Sequence, residues 1–286
     1  MTATSSFLFR WLGAAGLEFI YNDFSLLIDP YLSRISLFQC LFGRIRPAEQ
    51  KIFSRITAAN AILVTHSHFD HLMDVPAIAK KFNCPVYGSP NTCSLLKRCN
   101  VPRSQIYQVA AAEEFVIGPF NVTVMKSSHP FAPLFKSTML SATAEPPRHA
   151  KDFGIDSQFS YRISVGPRTC LTDPGKEVSK GAIDILFINT LQGSRAVRHI
   201  LKTLDPGVVI PIHWDNYFRP VSGSCRAPGW GVLPVKRVFL KTVKKLAYTL
   251  TPRGRFFLPE PFKYYCVEDI LYPNHECPSI ASLYGV

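Results

Sequence analysis

The chain has 286 residues, 47% of them hydrophobic, and carries 32 basic against 20 acidic side chains for a formal net charge of +12. That apolar share excludes a disordered protein and can fill a large core. It holds no apolar run of the roughly eighteen residues that a membrane-spanning helix needs, so one compact cytoplasmic domain over 1–286 is expected.

Three short β-type runs open the chain, at 9–13, 17–21 and 24–28, separated by Gly13 to Gly16 and by Asn22-Asp23, both of which are turn chemistry. Arg10 and Glu18 interrupt the stretch 7–20, which therefore reads as part of this meander and not as a signal peptide. Asp29-Pro30 follows the third run. Residues 61–64, Ala-Ile-Leu-Val, form the next apolar strand, and directly after it stands Thr65-His66-Ser67-His68-Phe69-Asp70-His71.

This segment places three of the chain's 8 histidines and an aspartate within six positions. Packing has no use for such a run, whereas imidazole nitrogens and a carboxylate are the donor set that borderline divalent ions select. The ligands leave the carboxyl end of a strand, where open α/β sheets place their chemistry. His66 and His68 share one side of an extended turn. Asp70 and His71 lie about a helical turn further on and face a second point, so one loop can serve two adjacent ions.

Further along, the spacing predicts helices over 74–82, 91–98 and 194–204 and extended pieces at 85–87, 115–117 and 184–188. Three more β-rich runs each lead into a candidate ligand: 122–125 into His129, 168–171 into Asp173, and 208–212 into His213. The alternation of strand-like and helix-like pieces argues for layered α/β architecture. Residues 130–156, with Pro133, Pro146 and Pro147 and neither periodicity, read as an insertion that serves as lid or binding loop. Residues 235–247 alternate Lys236, Arg237, Lys241, Lys244 and Lys245 with apolar positions, a basic amphipathic helix. The eight cysteines contain no Cys-x-x-Cys pair and read as scattered reduced thiols.

The His-x-His-x-Asp-His segment matches the signature of the metallo-β-lactamase superfamily at every defined position, and the amino-terminal meander is similar to that family's as well. The resemblance implies an αββα sandwich with the metals at one edge. It implies that His66, His68 and His129 hold one metal, that Asp70, His71 and His213 hold a second, and that Asp173 bridges them. Asp29 would orient a ligating imidazole from behind, as carboxylates beside metal sites do. Two divalent ions, zinc first with manganese or iron as alternatives, would share a hydroxide that attacks the substrate, with Asp70 and Asp173 as the carboxylates of the catalytic centre.

The branch that the meander and the His-Trp-Asp stretch most resemble contains ascorbate-6-phosphate lactonase, and it is similar also to the phospholipase D acting on N-acyl-phosphatidylethanolamine. The leading reading is therefore hydrolysis of a small, anionic ester, lactone or phosphate ester, with Trp214, Tyr217 and Arg219 as substrate contacts. A phospholipid phosphodiesterase is the alternative, its basic helix making peripheral contact with an anionic membrane. A nuclease, and with it nucleic-acid binding, comes third because the long inserted domain of the superfamily's nucleases has no room here. A non-catalytic metal-binding module stands as the contrast from another class. Substrate, native metal, general acid and oligomeric state stay open.

Overall fold

The structure is a computed structural model that describes residues 6–128, 145–221, 235–251 and 255–273. Its strands in chain order are β1 (Leu8–Gly13), β2 (Gly16–Tyr21), β3 (Phe24–Ile28), β4 (Ala61–Leu63), β5 (Val86–Gly88), β6 (Ile106–Gln108), β7 (Glu114–Ile117), β8 (Phe120–Lys126), β9 (Phe159–Val165), β10 (Arg168–Thr172), β11 (Ile185–Asn189), β12 (Val208–Ile212), β13 (Arg255–Phe256) and β14 (Tyr264–Cys266). The helices are α1 (Leu37–Phe42), α2 (Glu49–Phe53), α3 (Phe69–Leu72), α4 (Val75–Phe82), α5 (Pro90–Arg98), α6 (Ser194–Leu204), α7 (Val235–Leu250) and α8 (Val267–Leu271).

Among the described residues the strands make two seven-stranded sheets, one in the order β14-β1-β2-β3-β4-β5-β6 and the other β13-β12-β11-β10-β9-β8-β7. The first half of the chain builds one sheet and the second half the other, until β14 returns to pair antiparallel with β1. A two-residue strand, β13, lies parallel to β12 on the way. These last two strands are too short to show a period in sequence; their hydrogen bonds to β12 and β1 define them.

Alternation along each strand sorts side chains between two buried faces. Phe9, Trp11, Phe19 and Phe187 fill the space between the sheets, where Phe187 meets Phe9 and Phe19 at ring-centroid distances of 5.4 and 5.5 Å. Leu12, Leu27, Ile62 and Val86 point the other way, onto Val75, Ile78, Leu95 and Leu96 of α4 and α5. On the far side Leu186, Ile188 and Val209 pack against Val197, Ile200 and Leu201 of α6 and Val243, Leu246 and Ala247 of α7. Helices thus cover both outer faces. This is the αββα sandwich that the resemblance implies.

The basic helix spans Val235–Leu250, three residues longer than expected, and the apolar face it presents to α6 and the sheet leaves Lys241, Lys244 and Lys245 exposed. Residues 130–144 of the expected insertion lie outside the described residues. Its remainder is tied down: Ile45 N–H donates to the Arg148 carbonyl at 2.7 Å, and the Gly154 carbonyl accepts from Ser67 Oγ at 2.5 Å. No helix among the described residues is long and apolar enough to cross a membrane.

The central layer depends on aromatic packing between sheets. Phe187→Ala is expected to lower unfolding free energy by about 3–5 kcal/mol in urea titration, because it opens a cavity at the contact of both sheets. A loss below about 1 kcal/mol would contradict that placement.

Candidate metal centre

Four strands of the two sheets end at the same edge, and each end carries chemistry. β3 ends at Asp29, β4 leads into residues 65–71, β10 into Asp173, and β12 into His213. Asp29, Asp173 and His213 have φ of 46°, 39° and 60°, the left-handed region that residues other than glycine, with a Cβ, enter at a cost of order 1 kcal/mol. A backbone hydrogen bond to a neighbouring segment holds each one. Asp29 N–H donates to the Leu63 carbonyl at 3.1 Å, Asp173 N–H to Phe187 at 2.8 Å, and His213 N–H to Ala14 at 2.8 Å. The strand leaves the sheet abruptly there, and the side chain stays at its end.

The 65–71 loop turns into α3 with His68 as its N-cap. His66 Nε2 lies 3.2 Å from His68 Nδ1, and the His66 and His71 rings sit 3.8 Å apart between centroids. His71 Nε2 is 3.3 Å from His213 Nε2, and Asp70 Oδ2 is 3.7 Å from the first and 3.5 Å from the second. Asp70, His71 and His213 thereby offer ligand atoms that all lie within 4.8 Å of one another, and all three are buried. Asp173 is buried alongside. The sequence-derived ligand His129 lies outside the described residues.

Asp29 sits behind the loop. Its carboxylate accepts from Thr65 N–H at 2.7 Å, from the Thr65 hydroxyl at 2.5 Å and from His71 Nδ1 at 2.7 Å. A proton fixed on Nδ1 leaves His71 Nε2 as the lone pair facing Asp70 and His213, the tautomer a metal ligand requires. Asp173 is gripped by amides: Gln192 Nε2 donates to Oδ1 at 3.0 Å, with Asn189 Nδ2 at 3.4 Å and Gln158 Nε2 at 3.5 Å from Oδ2.

The charged groups of this buried cluster act on one another. Burial disfavours an ionised Asp70, yet the imidazoles of His71, His213 and His68 outweigh it and hold the carboxyl at about 2. For His71 burial opposes the cation, and Asp29 and Asp70 overcome it, pushing the ring up to about 9. Asp173 goes the other way. Desolvation raises it to about 6 despite the amides of Gln192 and Asn189.

Residues 25–164 match the family described as beta-lactamase superfamily domain. A metal-dependent hydrolase of the UPF0173 group from Cereibacter sphaeroides is 37% identical over 214 residues, covering 72% of this chain and 85% of the relative. The chain belongs to this family of metal-dependent hydrolases. A hydrolase of the same group from Roseobacter denitrificans is 38% identical over 78 residues, 27% of this chain and 30% of the relative. In fold the hydrolase is similar to a metallo hydrolase from the archaeon Ignicoccus hospitalis, at 14% identity, a TM-score of 0.55, and coverage of 91% of this chain and 98% of that one.

The residues of this metal-dependent hydrolase fit a divalent ion on the chemistry of the donor set. Buried imidazoles and carboxylates converge on one point, and His71, with the Asp29 carboxylate behind it, turns Nε2 inward.

Of the sequence-derived substrate contacts, Tyr217 lies at the centre's margin, its ring edge-on to His213 at 5.5 Å. Arg219 is exposed on the same loop. Trp214 is buried and stacks on Trp11 at 4.9 Å between centroids, a place in the core between the sheets. Sequence reading missed three supports. Asp74, three residues past His71, accepts from the N–H groups of Leu32 and Ser33 at 2.6 and 2.8 Å and from Ser33 Oγ at 2.5 Å, tying the segment after β3 to the metal loop. Asp215 accepts from Arg34 Nη1 at 2.8 Å and from Ala14 N–H at 3.1 Å, clamping the turn after His213. Gln192, in the loop after β11, is the third. A polar residue just past a buried strand was the available signal for it.

Two outcomes follow from this geometry. Asp29→Ala should weaken zinc binding by about 10–100-fold in calorimetric titration, since His71 loses its orienting partner. Wild-type affinity would contradict that role. Metal must also displace the proton that Asp29 and Asp70 retain on His71. Zinc binding near pH 7 should therefore release about one proton in titrations across buffers of different ionisation enthalpy, and the release should shrink as pH rises through about 9. Constant release across that range would contradict the ion pairing.

Proposed function

We propose that this hydrolase is dinuclear and acts on a small ester, lactone or phosphate ester. What carries the reading is the crowding of four imidazoles, His66, His68, His71 and His213, with Asp70 and Asp173 at one edge of the sandwich. A single four-coordinate zinc ion would leave some of these groups without a role, which supports a second ion. On this reading His66, His68 and His129 hold one metal, Asp70, His71 and His213 hold the other, and Asp173 serves both, with zinc as the first candidate and manganese or iron as alternatives.

Bound at these positions, two divalent ions would supply Lewis acidity and a nucleophilic water at neutral pH. The rest is the work of the chain. Asp29 fixes the His71 tautomer through a 2.7 Å bond, so the ring keeps one orientation through turnover. The amides of Gln192, Asn189 and Gln158 hold the Asp173 carboxylate in register without adding charge. Among the described ligand residues His68 and Asp70 are the more exposed, at 9% and 8%, so substrate would approach from their side. Tyr217, half-buried beside His213, forms part of the wall on that approach, and Arg219 on the same loop offers a cation to an anionic substrate.

The leading reading is preferred over phospholipid phosphodiester cleavage because the basic helix buries Val243, Leu246 and Ala247 against the sheet and α6, which leaves Tyr248 as the one large apolar side chain exposed beside Lys241, Lys244 and Lys245 among its described residues. All the expected ligand positions are filled in the sequence, which argues against a non-catalytic module.

Asp173→Ala should lose one of two ions by elemental analysis and nearly all turnover against a panel of carboxylic esters, lactones, thioesters and phosphoesters, with near-wild-type melting. Undiminished hydrolysis by that variant would refute the assignment. Tyr217→Ala should instead change the ranking of substrates while keeping metal content; an unchanged ranking would remove Tyr217 from the wall.

A further inference from the structure

α1 buries little of itself, with Cys40 alone packing against the core cluster beneath it. None of its six residues is buried, and Phe38, Leu41 and Phe42 are 72%, 58% and 74% exposed. The helix is nonetheless preformed: Ser36 Oγ accepts from Gln39 N–H at 3.1 Å while Gln39 Oε1 accepts from Ser36 N–H at 2.9 Å, a reciprocal cap. The Phe38 and Phe42 rings lie 5.6 Å apart, one turn from each other, as one outward wedge. Beside the wedge, Gln39, Arg44, Ile45, Arg46 and Arg148 line a recess of about 310 Å³. Three arginines thus line one hollow at the foot of an exposed aromatic pair. Arg148 has an acidic neighbour, Glu145 at 3.7 Å, but both are more than half exposed, so this pair is weak.

We propose that α1 and the arginine recess dock this protein on an anionic phospholipid surface, with Phe38, Leu41 and Phe42 entering the interface and Arg44, Arg46 and Arg148 meeting headgroup phosphates. Exposed aromatics beside cations are the composition that interfacial helices use, apolar groups sinking to the acyl boundary while basic groups stay at headgroup level. A second copy of the chain fits poorly. The three apolar side chains offer on the order of 400 Å², about half of the roughly 800 Å² per partner of a stable interface. Two facing copies would also oppose their own arginines.

The patch lies close to the metal centre. Cys40, on the inner side of α1, packs in the same cluster as Tyr217, and Asp70 is near enough to act on its thiol. Docking by α1 would bring the mouth of the centre to the membrane. The lysines of α7 stand on the opposite outer face of the sandwich and are not part of this surface. The docking itself does not depend on which bond the centre breaks.

The test is co-sedimentation of the full chain with vesicles of phosphatidylcholine containing phosphatidylserine, against vesicles of phosphatidylcholine alone. The protein should sediment with the anionic vesicles and be released by salt. Phe38→Ser with Phe42→Ser, and separately Arg44→Glu with Arg46→Glu, should each lower partitioning at least about tenfold at unchanged melting temperature. Lys241→Glu with Lys244→Glu and Lys245→Glu should retain binding. In a Phe38→Trp variant, acyl chains brominated near the interface should quench added emission. The proposal is overturned by absent binding to anionic vesicles, by binding that the α1 substitutions leave intact, by binding lost only in the α7 variant, by no quenching, or by a vesicle-free dimer that the phenylalanine substitutions dissolve.

Discussion

A single buried carboxylate joins the two parts of this protein that must agree. Asp29 ends β3, and through Thr65 and His71 it sets the loop that follows the neighbouring strand β4. Its backbone is already tied to Leu63 in that strand. The sheet register, β3 against β4 at Ile28 and Leu63, therefore determines where the imidazoles stand. Slipping one residue would turn the interior faces outward and carry the histidine loop off the edge at once. The placement of these donor groups is a consequence of sheet packing.

The edge is costly to build. Left-handed backbone at three strand ends and a concentration of buried ionisable groups work against stability, and neighbouring hydrogen bonds offset this: Asp74 beneath the segment after β3, Arg34 with Asp215 beneath the turn after β12, and amides around Asp173. Such strain and like groups persist where surrounding structure over-determines them. The apolar layers supply that rigidity. Trp214 shows the division of labour along one short stretch: it is anchored against Trp11 in the core, and the candidate ligand beside it, His213, faces the centre.

Local physics was legible in the sequence where it was strong. The helix at 194–204 and the strand at 208–212 have the bounds that the pattern predicts, because a sharp amphipathic period starts after Gly193 and a run of β-type residues ends at His213. The metal loop was readable because its donors are adjacent in sequence. What escaped was set by distant partners. β13 and β14 are strands only because β12 and β1 lend them hydrogen bonds, and α1 shows no core-facing period since its aromatics point outward. Nothing near Asp173 in sequence announces Gln192 or Gln158. The place of Trp214 directly after His213 suggests a pocket aromatic, and its stacking partner Trp11 stands more than two hundred residues earlier in the chain.

The proposed reading seats two ions among these side chains. Crystals grown with zinc, with anomalous data collected on both sides of the zinc edge, test that most directly. Two peaks roughly 3.5–4 Å apart are expected, one against Asp70, His71 and His213 and the other against His66 and His68. A map without anomalous density among those imidazoles would contradict it.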